Sequence, residues 1–126
     1  MATKLFVNLP VEDLDRSKDF FSGLGFDFFG GADGMASVII SEHTQVMLLA
    51  GPVFADYTSR QITNADESTE VILALGLEDR AEVDRLVDTA LSQGATAAGS
   101  PRDSDGRYQR GFFDLDGHHW EALCLQ

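Results

Sequence analysis

Apolar and polar positions alternate from Leu5 to Val11, a run of strand-forming residues that predicts a β-strand. Glu12-Asp13-Leu14-Asp15 then offers helix N-cap candidates. Ser17, Phe20, Phe21 and Leu24 recur at helical spacing, and Gly23 and Gly25 close that helix. A short strand follows at Phe26 to Phe29, with turns at Gly30-Gly31 and Asp33-Gly34. Met35 to Ile40 and Gln45 to Leu49 read as two strands joined by Ser41-Glu42-His43-Thr44. The first half is therefore β-α-β-β-β.

The second half repeats this order. Glu70 to Leu77 reads as a strand. Asp79 with Glu82 has the form of a capping box. Val83, Leu86, Val87, Ala90 and Leu91 mark one face of an amphipathic helix that Gly94 ends. Ala95 to Ala98 is a weak strand and Tyr108 to Asp114 a stronger one. Asp116-Gly117 signals a hairpin turn before a last strand from His118 to Leu125. Leu9-x-Val11-Glu12-Asp13 matches Leu75-x-Leu77-Glu78-Asp79, and Gln45-Val46-Met47 corresponds to His119-Trp120-Glu121. The modules span about 3–50 and 69–125 of a single domain covering 1–126. The connection, about 51–68, is polar and irregular, with a short helix expected from Phe54 to Ile62. So long a connection serves either as a plain crossover or as a binding loop.

The 126 residues are 44% hydrophobic, enough for a core without disulfides. The single cysteine, Cys124, cannot close an intrachain bridge. With no long apolar run and no tripartite leader, a cytoplasmic protein without a membrane span is expected. The 21 acidic against 9 basic residues, net −12, disfavour nucleic acid, whose phosphates need a basic footprint. The acidity serves solubility or draws a cationic ligand.

Three segments carry a family resemblance: Asn8 to Phe21, Gly23-Leu24-Gly25-Phe26, and Asp114-Leu115-Asp116-Gly117-His118-His119-Trp120-Glu121. The first resembles the opening strand and helix start of the glyoxalase/bleomycin-resistance/extradiol-dioxygenase (vicinal oxygen chelate) superfamily. The second is similar to its helix-ending "LGF". The third resembles its terminal hairpin, with Leu115 in place of the usual proline. The resemblance implies an α+β fold in which two tandem βαβββ modules form a cupped mixed sheet, helices on the outer face. It also implies a homodimer.

In the metalloenzymes of that superfamily four ligand positions lie in the cup, two from each half. The resemblance carries them onto Phe6, Met47, Ile72 and Glu121. Three are apolar, and catalytic sites of this type need about three protein ligands. No metal and no cofactor are therefore expected. Strand alternation puts Phe6, Asn8 and Pro10 on the cup side of the first strand and Leu5, Val7 and Leu9 on the helix side. Ile72, Ala74, Gln45, Met47, Leu49, His119, Glu121 and Leu123 join the cup. The similar chains carry a "Y-x-R" at Tyr108 and Arg110, and Arg110 is expected at the cup rim, with a surface cation as the plain alternative. The expected ligand-binding set is Phe6, Asn8, Gln45, Met47, Ile72, Tyr108, Arg110 and Glu121.

Three functions follow as expectations. The first is metal-independent binding of a small molecule, as in the bleomycin-resistance branch. The second is a glyoxalase-like metal-dependent lyase, isomerase or dioxygenase. The third is a metal-free acid–base enzyme in which Glu121 and His119, two apart and on one face, form the catalytic pair. Whether any reaction occurs stays open at this point, because this fold hosts several chemistries.

Overall fold

The computed structural model describes residues 3–30 and 32–125; Gly31 of the expected turn lies outside them. The alternating first segment forms β1 (Leu5–Val11), with Leu9 and Val11 buried and Leu5 and Phe6 exposed. Helix α1 (Leu14–Gly23) starts at Asp13, whose carboxylate accepts the Arg16 N–H at 3.1 Å. Its apolar stripe buries Phe20 and Phe21, whose rings meet edge to face at 5.0 Å. Strands β2 (Asp27–Phe29), β3 (Met35–Ser41) and β4 (Thr44–Ala50) follow. The sheet order is β1-β4-β3-β2, with β1 and β4 parallel and the other pairs antiparallel. Val38, Val46 and Leu48 are buried on the face that α1 covers.

Helix α2 (Gly51–Ala55) replaces the helix expected at Phe54 to Ile62. Pro52 favours a helix start here, because its missing N–H is unused in a first turn. The polar residues after Tyr57 offer no apolar stripe to prolong it.

The second sheet contains β5 (Ile72–Gly76), β6 (Thr96–Ala97), β7 (Arg102–Ser104), β8 (Arg107–Phe113) and β9 (His119–Leu125). Its order is β5-β9-β8-β6, and β7 pairs with β8 as well. Strand β6 pairs with the Phe112-Phe113 end of β8 and β7 with its Arg107–Gln109 end. The two are one edge strand interrupted around Gly99 and Pro101, so the βαβββ order is kept. Asp105 and Gly106 both have positive φ, 57° and 71°, the geometry of a two-residue hairpin turn. An Asp-Gly pair is the sequence signal for such a turn, and the expected elements did not include it. Helix α3 (Arg80–Ser92) is capped as expected: Asp79 accepts the Glu82 N–H at 2.9 Å, and Glu82 accepts the Glu78 N–H at 2.9 Å. It covers Trp120 and Phe112, stacked at 6.4 Å.

The pairing registers carry the duplication. Phe6 faces Gln45 and Asn8 faces Met47 in the first half. At the same points of the second, Ile72 faces His119 and Ala74 faces Glu121. The chain is α+β, and its contacts divide it into two compact units, Met1–Thr63 and Asn64–Gln126. No helix among the described residues is long and apolar enough to cross a membrane.

Candidate functional site

Each sheet has one face covered by its long helix and one left open. On the open face of the second sheet, β9 presents His119 and Glu121, and β8 presents Gln109, Gly111 and Phe113. The His119 Nε2 lies 2.6 Å from one Glu121 carboxylate oxygen, and the Gln109 Nε2–H donates to the other at 2.7 Å. The first contact is hydrogen-bonded, and which group donates in it depends on the ring's tautomer. His119 also leans on Phe113, with 4.9 Å between ring centroids. The Glu121 and His119 side chains are 13% and 17% exposed, so the pair is sheltered yet reachable.

Gly111 makes this arrangement possible. A Cβ built there would stand 1.7 Å from a Glu121 carboxylate oxygen, so the carboxylate occupies the space any other residue would fill. Glu121 and His119 share a face as expected. Gln109 and Gly111 were missed. Their signal was the strand register, which puts Gly111 directly opposite Glu121.

Tyr108 and Arg110 point the other way, and this corrects the expected place of Arg110 at an open rim. The Tyr108 hydroxyl donates to Asp84 of α3 at 2.5 Å. The Arg110 guanidinium donates to Asp84 at 3.0 Å and Asp88 at 2.9 Å. Alternation explains it: Gln109 and Gly111 take the open face, so their neighbours Tyr108 and Arg110 take the helix face. The Tyr108 hydroxyl and then the guanidinium of Arg110 hold the Asp84 carboxyl below its ordinary value. The bond to Asp84, with burial, holds the Tyr108 hydroxyl above its own. Burial acts to lower the Arg110 pKa, and the bonds to Asp88 and Asp84 outweigh it and raise it. This group braces helix to sheet.

Behind the hairpin, Asp114 is buried. It accepts the Trp120 indole N–H at 2.9 Å and the backbone N–H groups of Asp116 and His118 at 2.9 and 3.0 Å. Burial raises its carboxyl above the usual range, and the His118 charge and these donors act against that shift. Gly117 has φ 85°, and a Cβ there would meet the Ala65 carbonyl oxygen at 2.9 Å, so the tight turn needs glycine.

The first sheet's open face carries a hollow of about 540 Å³. Phe6, Asn8, Gln45 and Met47, all expected on this side, line it. Phe29, Tyr57, Lys4 and Ser37 join them without having been anticipated. The Ser37 hydroxyl donates to the Gln45 side-chain oxygen. Ile72, on the second sheet, is 53% exposed.

A family described as bleomycin resistance protein-like N-terminal matches residues 3–41. A hypothetical protein from S. aureus is 31% identical, over 98% of this chain and 94% of that one, with TM-score 0.85. A glyoxalase/bleomycin resistance protein/dioxygenase family enzyme from Burkholderia phytofirmans PsJN is 16% identical over 99% and 100%, TM-score 0.80. The chain belongs to the glyoxalase/bleomycin-resistance/extradiol-dioxygenase superfamily. A fosfomycin resistance protein from Mesorhizobium loti shares the fold at 17% identity, over 100% of this chain and 94% of that one, TM-score 0.73. No curated protein matches the chain.

The four positions that the resemblance assigns to metal ligands differ in the donors they offer. Phe6 and Ile72 offer only hydrocarbon, and the Met47 thioether is a poor ligand for a hard divalent ion. Glu121 has both oxygens engaged, by His119 and Gln109. Among the described residues no three His, Cys, Asp or Glu side chains gather as a metal would require. This donor set does not fit the superfamily's metal.

Proposed function

We propose that the protein binds a small organic molecule on its open sheet faces without a metal ion. What supports this reading is the donor set: Phe6, Met47 and Ile72 hold positions that the resemblance assigns to metal ligands, and all three are apolar. The first-sheet hollow supports it, since about 540 Å³ is ordinary for a small-molecule site. It combines apolar walls with a few polar groups, the usual composition of such sites. Of the expected binding set, Phe6, Asn8, Gln45, Met47, Ile72 and Glu121 stay in the proposal. Tyr108 and Arg110 act through the brace to α3 instead. A homodimer in the cytoplasm belongs to the same proposal, on the superfamily resemblance and on the lone buried Cys124.

The test is titration calorimetry and thermal shift of the purified, metal-analysed chain against a broad panel of small molecules. Binding that survives a chelator is the expected result. A stoichiometric divalent ion that Glu121→Gln releases would favour the glyoxalase-like metal enzyme instead, as would activity appearing with added nickel or zinc.

A second reading rests on the 2.6 Å contact between His119 and Glu121. The pair can pass a proton to or from a ligand on the second sheet, as a metal-free lyase or isomerase would require. Under this reading Glu121→Gln abolishes turnover, while circular dichroism stays native.

A further inference from the structure

We propose that the hollow on the first sheet selects a planar aromatic carboxylate. This rests on the small-molecule reading above and names the ligand class of that site. Phe6, Phe29 and Tyr57 line the hollow while staying 51%, 66% and 66% exposed. Three aromatic side chains turned toward one concave space leave apolar faces that a flat ring covers by stacking.

The polar groups decide the sign of the ligand. The Gln45 side-chain oxygen accepts from Ser37, so one of its acceptor sites is taken while its amide still carries two N–H donors. Asn8 adds a second amide on the same face. Among the described lining residues Lys4 is the one charged side chain, and it is a cation. A donor-rich floor with an ammonium at its edge matches carboxylate oxygens. Asp27, on the same face of β2 as Phe29, does not line the hollow.

The net charge of −12 would draw cations from afar. Salt screens such fields beyond about 8 Å at physiological strength, so Lys4 governs at contact. The local donors thus replace the cationic ligand that the overall acidity suggested.

The experiment compares three probes with one ring system: naphthoate, naphthamide and naphthylmethylamine. Each is titrated into the full chain by calorimetry and ligand-detected NMR. Naphthoate is expected to bind at least about tenfold more tightly than the other two. Lys4→Gln should bring naphthoate down to the naphthamide level and leave naphthamide unchanged. Gln45→Leu should weaken both, and Asp27→Asn neither. Thermal unfolding of each variant confirms the native fold, and Lys4→Gln, on the surface, does not depend on core packing. If naphthylmethylamine matches or exceeds naphthoate, or if Lys4→Gln leaves the preference intact, the carboxylate assignment is overturned while small-molecule binding stands. If none of the three binds, the assignment fails; if the broad panel is also silent, the small-molecule reading fails with it.

Discussion

The two halves share a backbone plan but differ on their open faces. Ser37 of β3 lies opposite Met47 of β4; at the same place in the second half Gly111 lies opposite Glu121. Gln45 corresponds to His119, as Phe6 does to Ile72. In the first half Ser37 turns its hydroxyl to Gln45, leaving neutral amides beside aromatic walls. In the second, the missing Cβ of Gly111 makes room for a carboxylate that His119 and Gln109 hold. Pairing register depends on alternation and backbone hydrogen bonds, which tolerate many side chains. Open-face chemistry turns on single residues, so it diverged while the register did not.

The sharpest way to break this comparison is to give the second half the first half's residue. Gly111→Ser forces the Glu121 carboxylate out of the space it fills. It should cost up to about 3 kcal/mol, the upper end for overpacking. Urea unfolding measures the loss, and adding Glu121→Ala should recover most of it. A loss that the second change leaves untouched would mean Gly111 serves the backbone rather than Glu121.

Next comes the hairpin anchor. Asp114 stands where the first half has Ile40, so among the described residues only the second hairpin is tied by a buried carboxylate. Asp114→Asn keeps an acceptor for the Asp116 and His118 N–H groups but can turn an NH₂ toward the Trp120 indole N–H. The orphaned donor should cost about 2 kcal/mol. Near-ultraviolet circular dichroism of Trp120 reports the change directly.

A smaller effect is expected at the brace to α3. Tyr108→Phe removes one hydrogen bond to Asp84, about 1 kcal/mol at neutral pH. The pH dependence has two limbs. Asp84 has a lowered pKa, so its contribution is present above its ordinary value of 3.8 and is lost as pH falls through the folded value. Tyr108 has a raised pKa, so its contribution is complete below its ordinary value of 10.0 and is lost as pH rises through the folded value. Denaturation midpoints against pH should show both limbs in the native chain, with the Tyr108 part of the alkaline limb gone in Tyr108→Phe.

The mildest probe is Ser37→Ala, expected to cost about 0.5–1 kcal/mol by removing the hydroxyl that orients Gln45. If the hollow's donor character depends on that orientation, naphthoate affinity falls with it. Unchanged affinity would show that Gln45 is held without Ser37.

Much of the fold was legible along the chain. Alternation marked β1, β3, β4, β8 and β9, and the caps Asp13 and Asp79 fell where helix starts need acceptors. The Asp-Gly pair at 105–106 was equally legible and was overlooked. Helix α2 was misplaced because a single turn has too few residues to show a period. At the candidate site, alternation put Glu121 with His119 and Phe6 with Gln45. It also contained what was needed to turn Arg110 away, because Arg110 cannot share a face with its neighbour Gly111.

By itself the sequence determined the duplicated βαβββ order, the faces of the strands and the apolar side chains of Phe6, Met47 and Ile72. These follow from local period and residue type, which need no partner. Only the tertiary structure decided that Gln109 and His119 hold Glu121, that Arg110 braces α3, and that Lys4, Phe29 and Tyr57 close around Phe6. Those facts depend on residues distant in the chain meeting across strands, and on side-chain length and direction once they meet.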